Sequence, residues 1–238
     1  MKSFFDTFFY NPMYNVLVAI VGIMPGGNIG WAVIVLTILV KLLLFPLSQK
    51  GVRTQAKMRE IEPELRKIKE LHKDNQQEQA LKTMELYKKH HVNPFSGCLL
   101  LLIQLPIIFA LYYVFLAGLK FDQNILYSFV SLPGTVDMNF FGIDLTQKSL
   151  LLAFLAGASQ YFQLKLSIPP VPPRTTDVKP TMQEEFARNM SLQMKYFFPV
   201  MVFFIAYSIS SAIALYWLVS NLFAVGQELY VRKQKDIK

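Results

Sequence analysis

Long apolar blocks separated by short charged stretches dominate this sequence and restrict it to a few kinds of fold. Only 17% of the 238 residues are charged, against roughly 25% in an average soluble domain. A helix needs about 20 mostly apolar residues to cross the hydrocarbon core of a bilayer. The pattern predicts an all-α, polytopic membrane protein with a bundle of five transmembrane helices, a cytoplasmic helical hairpin and an N-terminal interfacial amphipathic helix.

The alternation of apolar and charged stretches sets the predicted segment boundaries. The segments are an interfacial helix and turn at 1–29, a first span at 30–47, a charged cytoplasmic hairpin at 48–95, a second span at 96–117, an external loop at 118–146, a third span at 147–166, a proline-rich cytoplasmic loop at 167–193, a fourth span at 194–210, a fifth span at 211–230 and a short basic tail at 231–238. Asp6, Asn11 and Pro12 interrupt the first segment, so a sixth, poor span stays open as an alternative to a helix at the interface.

Lysine and arginine are concentrated in three stretches of the chain. Residues 48–93, 165–195 and 231–238 contain 11, 5 and 4 of them, which is 20 of the 24 in the sequence. Short loops rich in these residues stay on the cytoplasmic side of a membrane. With five spans, this predicts an external N-terminus and a cytoplasmic C-terminus. No transit-type leader is recognisable, so we expect a bacterial plasma (inner) membrane.

One lysine, Lys41, lies inside the first predicted span. A lysine within a span costs about 2.5 kcal/mol or more, so it needs a compensating environment. Its long side chain could snorkel toward the inner headgroups, or it could face a water-filled groove inside the bundle. Thr37 shares its face of the helix at a spacing of four residues. The sequence leaves both interpretations open.

Polar residues on the other predicted spans favour the groove. They are Gln104 on the second span, Gln160 and Gln163 on the third, and Trp217, Ser220 and Asn221 on the fifth. Each of these polar groups alone could equally serve hydrogen bonding between helices. Polar faces on four spans around one lysine are harder to explain in that way.

The charged hairpin combines basic residues with two narrow apolar stripes at helical spacing. Its candidate docking residues are Arg53, Lys57, Arg59, Arg66, Lys67, Lys88 and Lys89. The stripes could simply pack on each other, or the hairpin could also contact lipid headgroups or a partner protein. A break between the two arms is expected at Asp74 and Asn75.

Motifs of common enzyme classes are missing from the sequence, which has no HExxH, GxSxG, P-loop or CxxC pair. The single cysteine, Cys98, and three histidines do not form a metal-ligand pattern. We therefore expect no enzyme activity, no cofactor and no bound metal. The net charge of +8 suits cytoplasmic loops, so direct binding of nucleic acid is not expected.

Several stretches together resemble the YidC/Oxa/Alb family of membrane protein insertases, and the likeness extends from about residue 5 to 233. They read AVIVLTILVKLLLFPLSQKGVRTQAKM from Ala32, IEPELRKIKELHKD from Ile61, ELYKKHHVNPFSGCLLLLIQLPIIFALYYVF from Glu85 and ALYWLVSNLFAVGQ from Ala214. The resemblance implies a five-span core whose hydrophilic groove opens to the cytoplasm and to lipid. It places Gln104, Gln160 and Trp217 on the groove wall.

The resemblance also implies that a cationic side chain of the first span lines the groove. That position usually holds arginine, and here it is Lys41, which carries a point charge without the planar fork of arginine. The charged hairpin matches the family's mobile first cytoplasmic region, where incoming chains and partners are thought to dock. The family's large external domain and long basic tail are not matched in this sequence.

An insertase moves short hydrophilic segments of client proteins through the groove and releases their apolar segments sideways into the bilayer. The implied partners are nascent membrane proteins and the lipid bilayer, with the Sec translocon, the signal recognition particle pathway and the ribosome as open candidates. Two alternatives remain at this point. One is a small-solute channel or transporter that uses the same polar residues, and the other is a membrane assembly factor that does not translocate.

Overall fold

The computed structural model describes residues 2–72, 75–93, 96–116, 122–168 and 182–235, and these residues are mostly helical, as predicted. The helices are α1 (Lys2–Phe5), α2 (Asn11–Ile23), α3 (Ile29–Leu43), α4 (Phe45–Glu60), α5 (Glu62–Leu71), α6 (Gln76–Lys89), α7 (Ser96–Leu116), α8 (Leu150–Ser167), α9 (Met182–Leu192), α10 (Phe198–Ser208) and α11 (Ser211–Lys235). Two short strands, β1 (Asn139–Phe140) and β2 (Ile143–Asp144), pair antiparallel.

The main apolar core joins α2, α3, α7, α8, α10 and α11. Helix α8 lies against both α10 and α11, while α11 also packs on α3. Leu17, Val33, Val114 and Val202 are among its fully buried side chains. Apolar side chains also cover much of the outer surface, including Leu43, Phe154 and Phe204. Such a surface suits contact with lipid, because a soluble monomer rarely exposes large apolar patches.

Helix α3 ends at Leu43, and the chain bends by 67° between α3 and α4. The first predicted span, 30–47, therefore includes this bend, and its limits in a membrane stay a prediction. Pro46 lies in the first turn of α4, and proline lacks the N–H that a continuous helix needs while its ring clashes with the preceding turn. Lys41 consequently lies in the last turn of α3.

The charged region consists of three helices rather than two long arms, because the chain breaks at Ile61 as well as after His72. Pro63 lies in the first turn of α5 and sets the additional break. Asn75 caps α6 by accepting a hydrogen bond from the Glu78 amide at 3.2 Å, while Asp74 lies outside the described residues. Helices α5 and α6 contact each other. Ile61, Leu86 and Val92 form a separate small apolar cluster there.

The N-terminal helix is more deeply integrated than the prediction of a surface helix anticipates. Helix α2 packs on α3 and α7, and Leu17, Val18 and Val21 are fully buried. Its opposite side exposes Val16 and Ile23. Helices α1 and α2 are continuous through a π-helical turn at Asp6–Tyr10. The position of this element relative to a bilayer stays a prediction.

The last two predicted spans have different boundaries in the structure. A helical run from 182 to 208 crosses the predicted loop boundary at 193, with a π-helical turn at Gln193–Phe197. Helix α11 extends through the predicted tail to Lys235, since no glycine or proline stops it and basic residues suit a helix C-terminus. Most of the predicted proline-rich loop, residues 169–181, lies outside the described residues.

Two helices among the described residues are long and apolar enough to cross a membrane, Arg188–Ser208 and Ser211–Lys233. A third is added if the bent pair α3 and α4 counts as one span. The count of five spans therefore stays a prediction. On length and composition the chain has the apolar helices of a membrane protein.

Candidate functional site

Lys41 contacts a polar residue of another helix inside the bundle. Its ammonium Nζ donates to the Gln104 Oε1 at 3.4 Å, and the Gln104 Nε2 donates to the Tyr216 hydroxyl. Ser220, one turn along α11, hydrogen-bonds the same hydroxyl. The chain of contacts thus joins α3, α7 and α11. No carboxylate in the described part of the chain forms an ion pair with Lys41.

A second polar group lies between α8 and α11. The Trp217 indole N–H donates to the Gln160 Oε1 at 3.1 Å, and the Gln160 Nε2 donates to the Gln163 Oε1 at 3.0 Å. The Gln163 amide continues to the Ser167 hydroxyl at 3.1 Å. Gln160 is buried, whereas Gln163 and Trp217 are half-buried. This group therefore leads from the buried helix contact toward the C-terminal end of α8.

Asn221 and Thr37 are satisfied within the helix packing. The Asn221 amide donates to the Ser159 hydroxyl at 3.1 Å, and that hydroxyl donates to the Ala156 carbonyl at 2.9 Å. The Thr37 hydroxyl donates to the Val33 carbonyl of its own helix at 2.6 Å and is buried. The side chains of these two residues therefore make hydrogen bonds within the helix packing in this structure.

Tyr216 is the member of this site that sequence reasoning missed. It is buried and bonds both Gln104 and Ser220. Its spacing of four residues from Ser220 places both on one face of α11, so a signal was present. In an apolar block a tyrosine is harder to identify as a polar site residue than a glutamine, because its ring packs in the core like other aromatic side chains.

The arrangement offers hydrogen-bond donors and acceptors around one cation and contains no nucleophile with an adjacent base. Uncharged amides and hydroxyls can exchange partners with a passing polar segment without any change of protonation. No group of three potential metal-ligating residues occurs among the residues that were located. The site is thus suited to transient polar contact with a peptide.

A charged cluster that was not predicted from the sequence joins the C-terminal parts of three helices. Arg232 contacts the Glu228 carboxylate at 3.1 Å and also donates to the Leu166 carbonyl. Arg59 of α4 donates to the Ile168 carbonyl at 3.1 Å. Burial lowers the pKa of the Arg59 guanidinium, with a smaller contribution from the positive charge of Arg232. The two arginines satisfy carbonyls at the C-terminal end of α8, where cations are favoured.

A neighbouring contact joins α4 to α11. The Gln227 amide donates to the Ser48 hydroxyl at 2.8 Å. Together with the Arg59 contact, it holds the first part of the charged region against the bundle.

The predicted docking residues divide into two groups. Arg53, Lys57, Lys67, Lys88 and Lys89 are exposed. Arg59 bonds the end of α8 as described, and Arg66 pairs with Glu62 at 2.7 Å on its own helix. The first group lies on the surface, while Arg59 and Arg66 hold the hairpin itself.

Comparison with known proteins gives a consistent set of relatives. A family model described as 60Kd inner membrane protein matches residues 20–238. A membrane protein insertase YidC of Wolinella succinogenes is 35% identical over 236 residues, which is 98% of this chain and 39% of the relative.

Further relatives carry the same description. The YidC insertase of Ectopseudomonas mendocina is 34% identical over 95% of this chain and 34% of its own length. That of Francisella tularensis subsp. novicida is 35% identical over 87% of this chain and 33% of its own length. The chain thus spans between a third and two fifths of the length of these curated relatives.

Proposed function

The chain belongs to the 60Kd inner membrane protein family, and on that basis we propose that it is a membrane protein insertase that acts on nascent membrane proteins in the bilayer. The resemblance found in the sequence is confirmed by this membership. The contact of Lys41 with Gln104 carries the argument within the chain, because it places a cation with only a neutral partner between helices. The activity requires no covalent chemistry.

In the proposed mechanism a short hydrophilic segment of the client enters between the helices from the cytoplasm. A bare bilayer offers such a segment neither charge nor hydrogen bonds, so its transfer is costly. Lys41 and Gln104, with Tyr216 behind them, offer both. An acidic client segment gains most, because it becomes the counter-ion that Lys41 lacks.

The client's apolar segment then leaves sideways into lipid along α8 and α11. The polar group formed by Trp217, Gln160 and Gln163 accompanies the hydrophilic segment near this exit. Exposed apolar residues such as Phe162 and Leu222 face outward on the same two helices. Burial of client apolar surface in lipid supplies the driving force.

The exposed basic residues of the charged hairpin are the proposed docking surface for clients and partners. Arg53, Lys57, Lys67, Lys88 and Lys89 are exposed, whereas Arg59 bonds the end of α8. The proposal includes five spans in a bacterial inner membrane, an external N-terminus and a cytoplasmic C-terminus. The Sec translocon, the signal recognition particle pathway and the ribosome are the candidate partners.

Substitution of Lys41 tests the proposal in reconstituted vesicles. Lys41→Arg keeps the charge and is expected to keep insertion, whereas Lys41→Ala and Lys41→Glu lose clients with acidic external segments. Protease protection of a radiolabelled client measures insertion. Equal insertion by all four proteins would remove the charge from the mechanism. Passage of small solutes by the parent protein in the same vesicles would instead favour a channel.

A further inference from the structure

The tip of the β1–β2 hairpin holds an aromatic residue in an unfavourable backbone conformation. Asn139 pairs with Asp144 and Phe140 with Ile143, so Phe141 and Gly142 form a two-residue turn. Both have positive φ, +49° at Phe141 and +81° at Gly142. Turns of this kind favour Asn-Gly, because a residue with a bulky side chain is strained at positive φ.

The same phenylalanine is 81% exposed. A ring at this position meets two unfavourable conditions in water, the strained backbone and an unburied apolar surface. Residues held in such conformations cluster at functional places in proteins. We therefore expect the ring of Phe141 to lie in an environment that stabilises an outward-pointing aromatic side chain.

Phe141 belongs to an aromatic group that includes the start of α3. Trp31 contacts the rings of Phe140 and Phe141 edge-on, with centroid distances of 5.5 and 6.1 Å. Trp31 is itself 47% exposed. Tryptophan at the end of a span is characteristic of the membrane–water interface. The three rings therefore lie together at the level where α3 begins.

The β1–β2 hairpin is held rigidly against the start of α3. The Asn28 amide donates to the Asp137 carboxylate and to the Asn139 carbonyl, each at 2.8 Å. Asp137 and Ile29 are also joined through their backbones. Phe140 packs so closely over Gly30 that a Cβ at position 30 would overlap its ring. The hairpin therefore cannot swing away from the first turn of α3 without losing these contacts.

We propose that the hairpin tip is an interfacial anchor, in which Phe141 inserts beside Trp31 among the lipid headgroups at the outer end of α3. This inference rests on the membrane placement in the proposed function. The polar residues Asp137, Asn139 and Asp144 at the base of the tip are exposed and suit a hydrated headgroup layer. The partner is the lipid surface, since the tip continues the aromatic belt begun by Trp31. The anchor fixes the depth of the external loop over the bundle.

Quenching by spin-labelled lipid tests the anchor on the whole chain. The single cysteine is removed by Cys98→Ser, and a fluorescent label is attached through Phe141→Cys, Thr135→Cys or Phe204→Cys. Thr135 is an exposed polar position of the same loop, and Phe204 is an exposed position of α10. The protein is reconstituted in phosphatidylcholine and phosphatidylglycerol vesicles with the spin label near the headgroup end of the acyl chain.

The anchor predicts a loss of fluorescence at position 141 comparable with that at 204 and clearly larger than that at 135. Quenching at 204 without quenching at 141 overturns the anchor and leaves the insertase proposal intact. Absence of quenching at both positions overturns the membrane placement as well. Quenching at 141 that appears only after a client is added also overturns the anchor, because it indicates a protein-docking surface.

A second measurement avoids the loss of the aromatic ring. Phe141→Trp keeps an aromatic side chain at the tip, and brominated lipids quench tryptophan fluorescence on contact. The added fluorescence of this variant over the parent is expected to be quenched, while that added by Thr135→Trp is not. If the added tryptophan is equally protected from quenching by brominated lipid in both variants, the anchor is overturned.

Discussion

The ammonium Nζ of Lys41 lies 3.4 Å from the carbonyl oxygen of the Gln104 side chain, on a neighbouring helix of the bundle. An amide can orient a lysine but cannot neutralise it. The charge is therefore held in place between helices with its counter-ion missing among the described residues. This contact therefore differs from an ion pair, in which a carboxylate would neutralise the lysine.

A carboxylate placed beside Lys41 should occupy this site permanently. Gln104→Glu supplies a fixed counter-ion, so insertion of clients with acidic segments is expected to fall about tenfold, which corresponds to ~1.4 kcal/mol. Insertion in reconstituted vesicles measures the effect. Gln104→Leu is the matched control, since it removes the amide but leaves the cation unpaired, and its loss should be smaller. Equal insertion by Gln104→Glu and the parent would contradict the role of the unpaired charge.

The polar group between α8 and α11 should contact clients during insertion. A photo-crosslinker at Gln160 or Trp217 is expected to form adducts with a stalled client. The exposed outer position Phe154, on the same helix as Gln160, is the control and should give fewer adducts. Adducts that form only at exposed hairpin residues such as Lys67 would instead favour an assembly factor that does not translocate.

The charged cluster of Arg59, Glu228 and Arg232 should stabilise the fold through Glu228, which is 2% exposed. The pair is partly buried, with the Arg232 side chain 35% exposed, so its loss should cost more than that of an exposed pair and less than that of a fully buried one. We therefore expect Glu228→Ala to lower the thermal unfolding midpoint in detergent markedly. Glu85→Ala removes the partner of an exposed pair with Lys82 and should change little. Equal midpoints for the two variants would show that the cluster does not stabilise the fold.

Asn15 should hold the loop at residues 122–130 on α2. Its Oδ1 accepts from the Tyr127 amide at 2.7 Å and its Nδ2 donates to the Ile125 carbonyl at 3.0 Å. Asn15→Leu removes both bonds and should destabilise the loop by about 2 kcal/mol. Hydrogen exchange of residues 122–130 measures the opening. Val16→Ala, on the exposed side of the same helix, is the control. Unchanged exchange in Asn15→Leu would contradict this assignment.

Several elements could be predicted because they depend on local properties of the chain. The approximate limits of the apolar helices followed from the length of apolar blocks, and the break between Ser208 and Ser211 followed from a polar interruption. The polar faces of Gln160 and Gln163 followed from helical spacing. These signals require only neighbours within a few turns of the same helix.

Other features depended on partners far away in the sequence. Ser48 meets Gln227 across 179 positions, and Gln104 meets Tyr216 across 112. Arg59 looked like any other basic residue of the hairpin, yet it bonds the end of α8. The rotation of each helix about its axis decides such pairs, and packing of the whole bundle sets that rotation.

The sequence by itself determined that the chain forms apolar helices, that it belongs to a family of insertases, and that a lysine lies within an apolar block. Only the tertiary structure decided that Lys41 meets Gln104 and that Gln104 meets Tyr216, while the equally well-spaced Thr37 hydrogen-bonds the Val33 carbonyl of its own helix. Helical periodicity gives the face on which a residue lies. The partner on that face is set by which helix packs there and at what height.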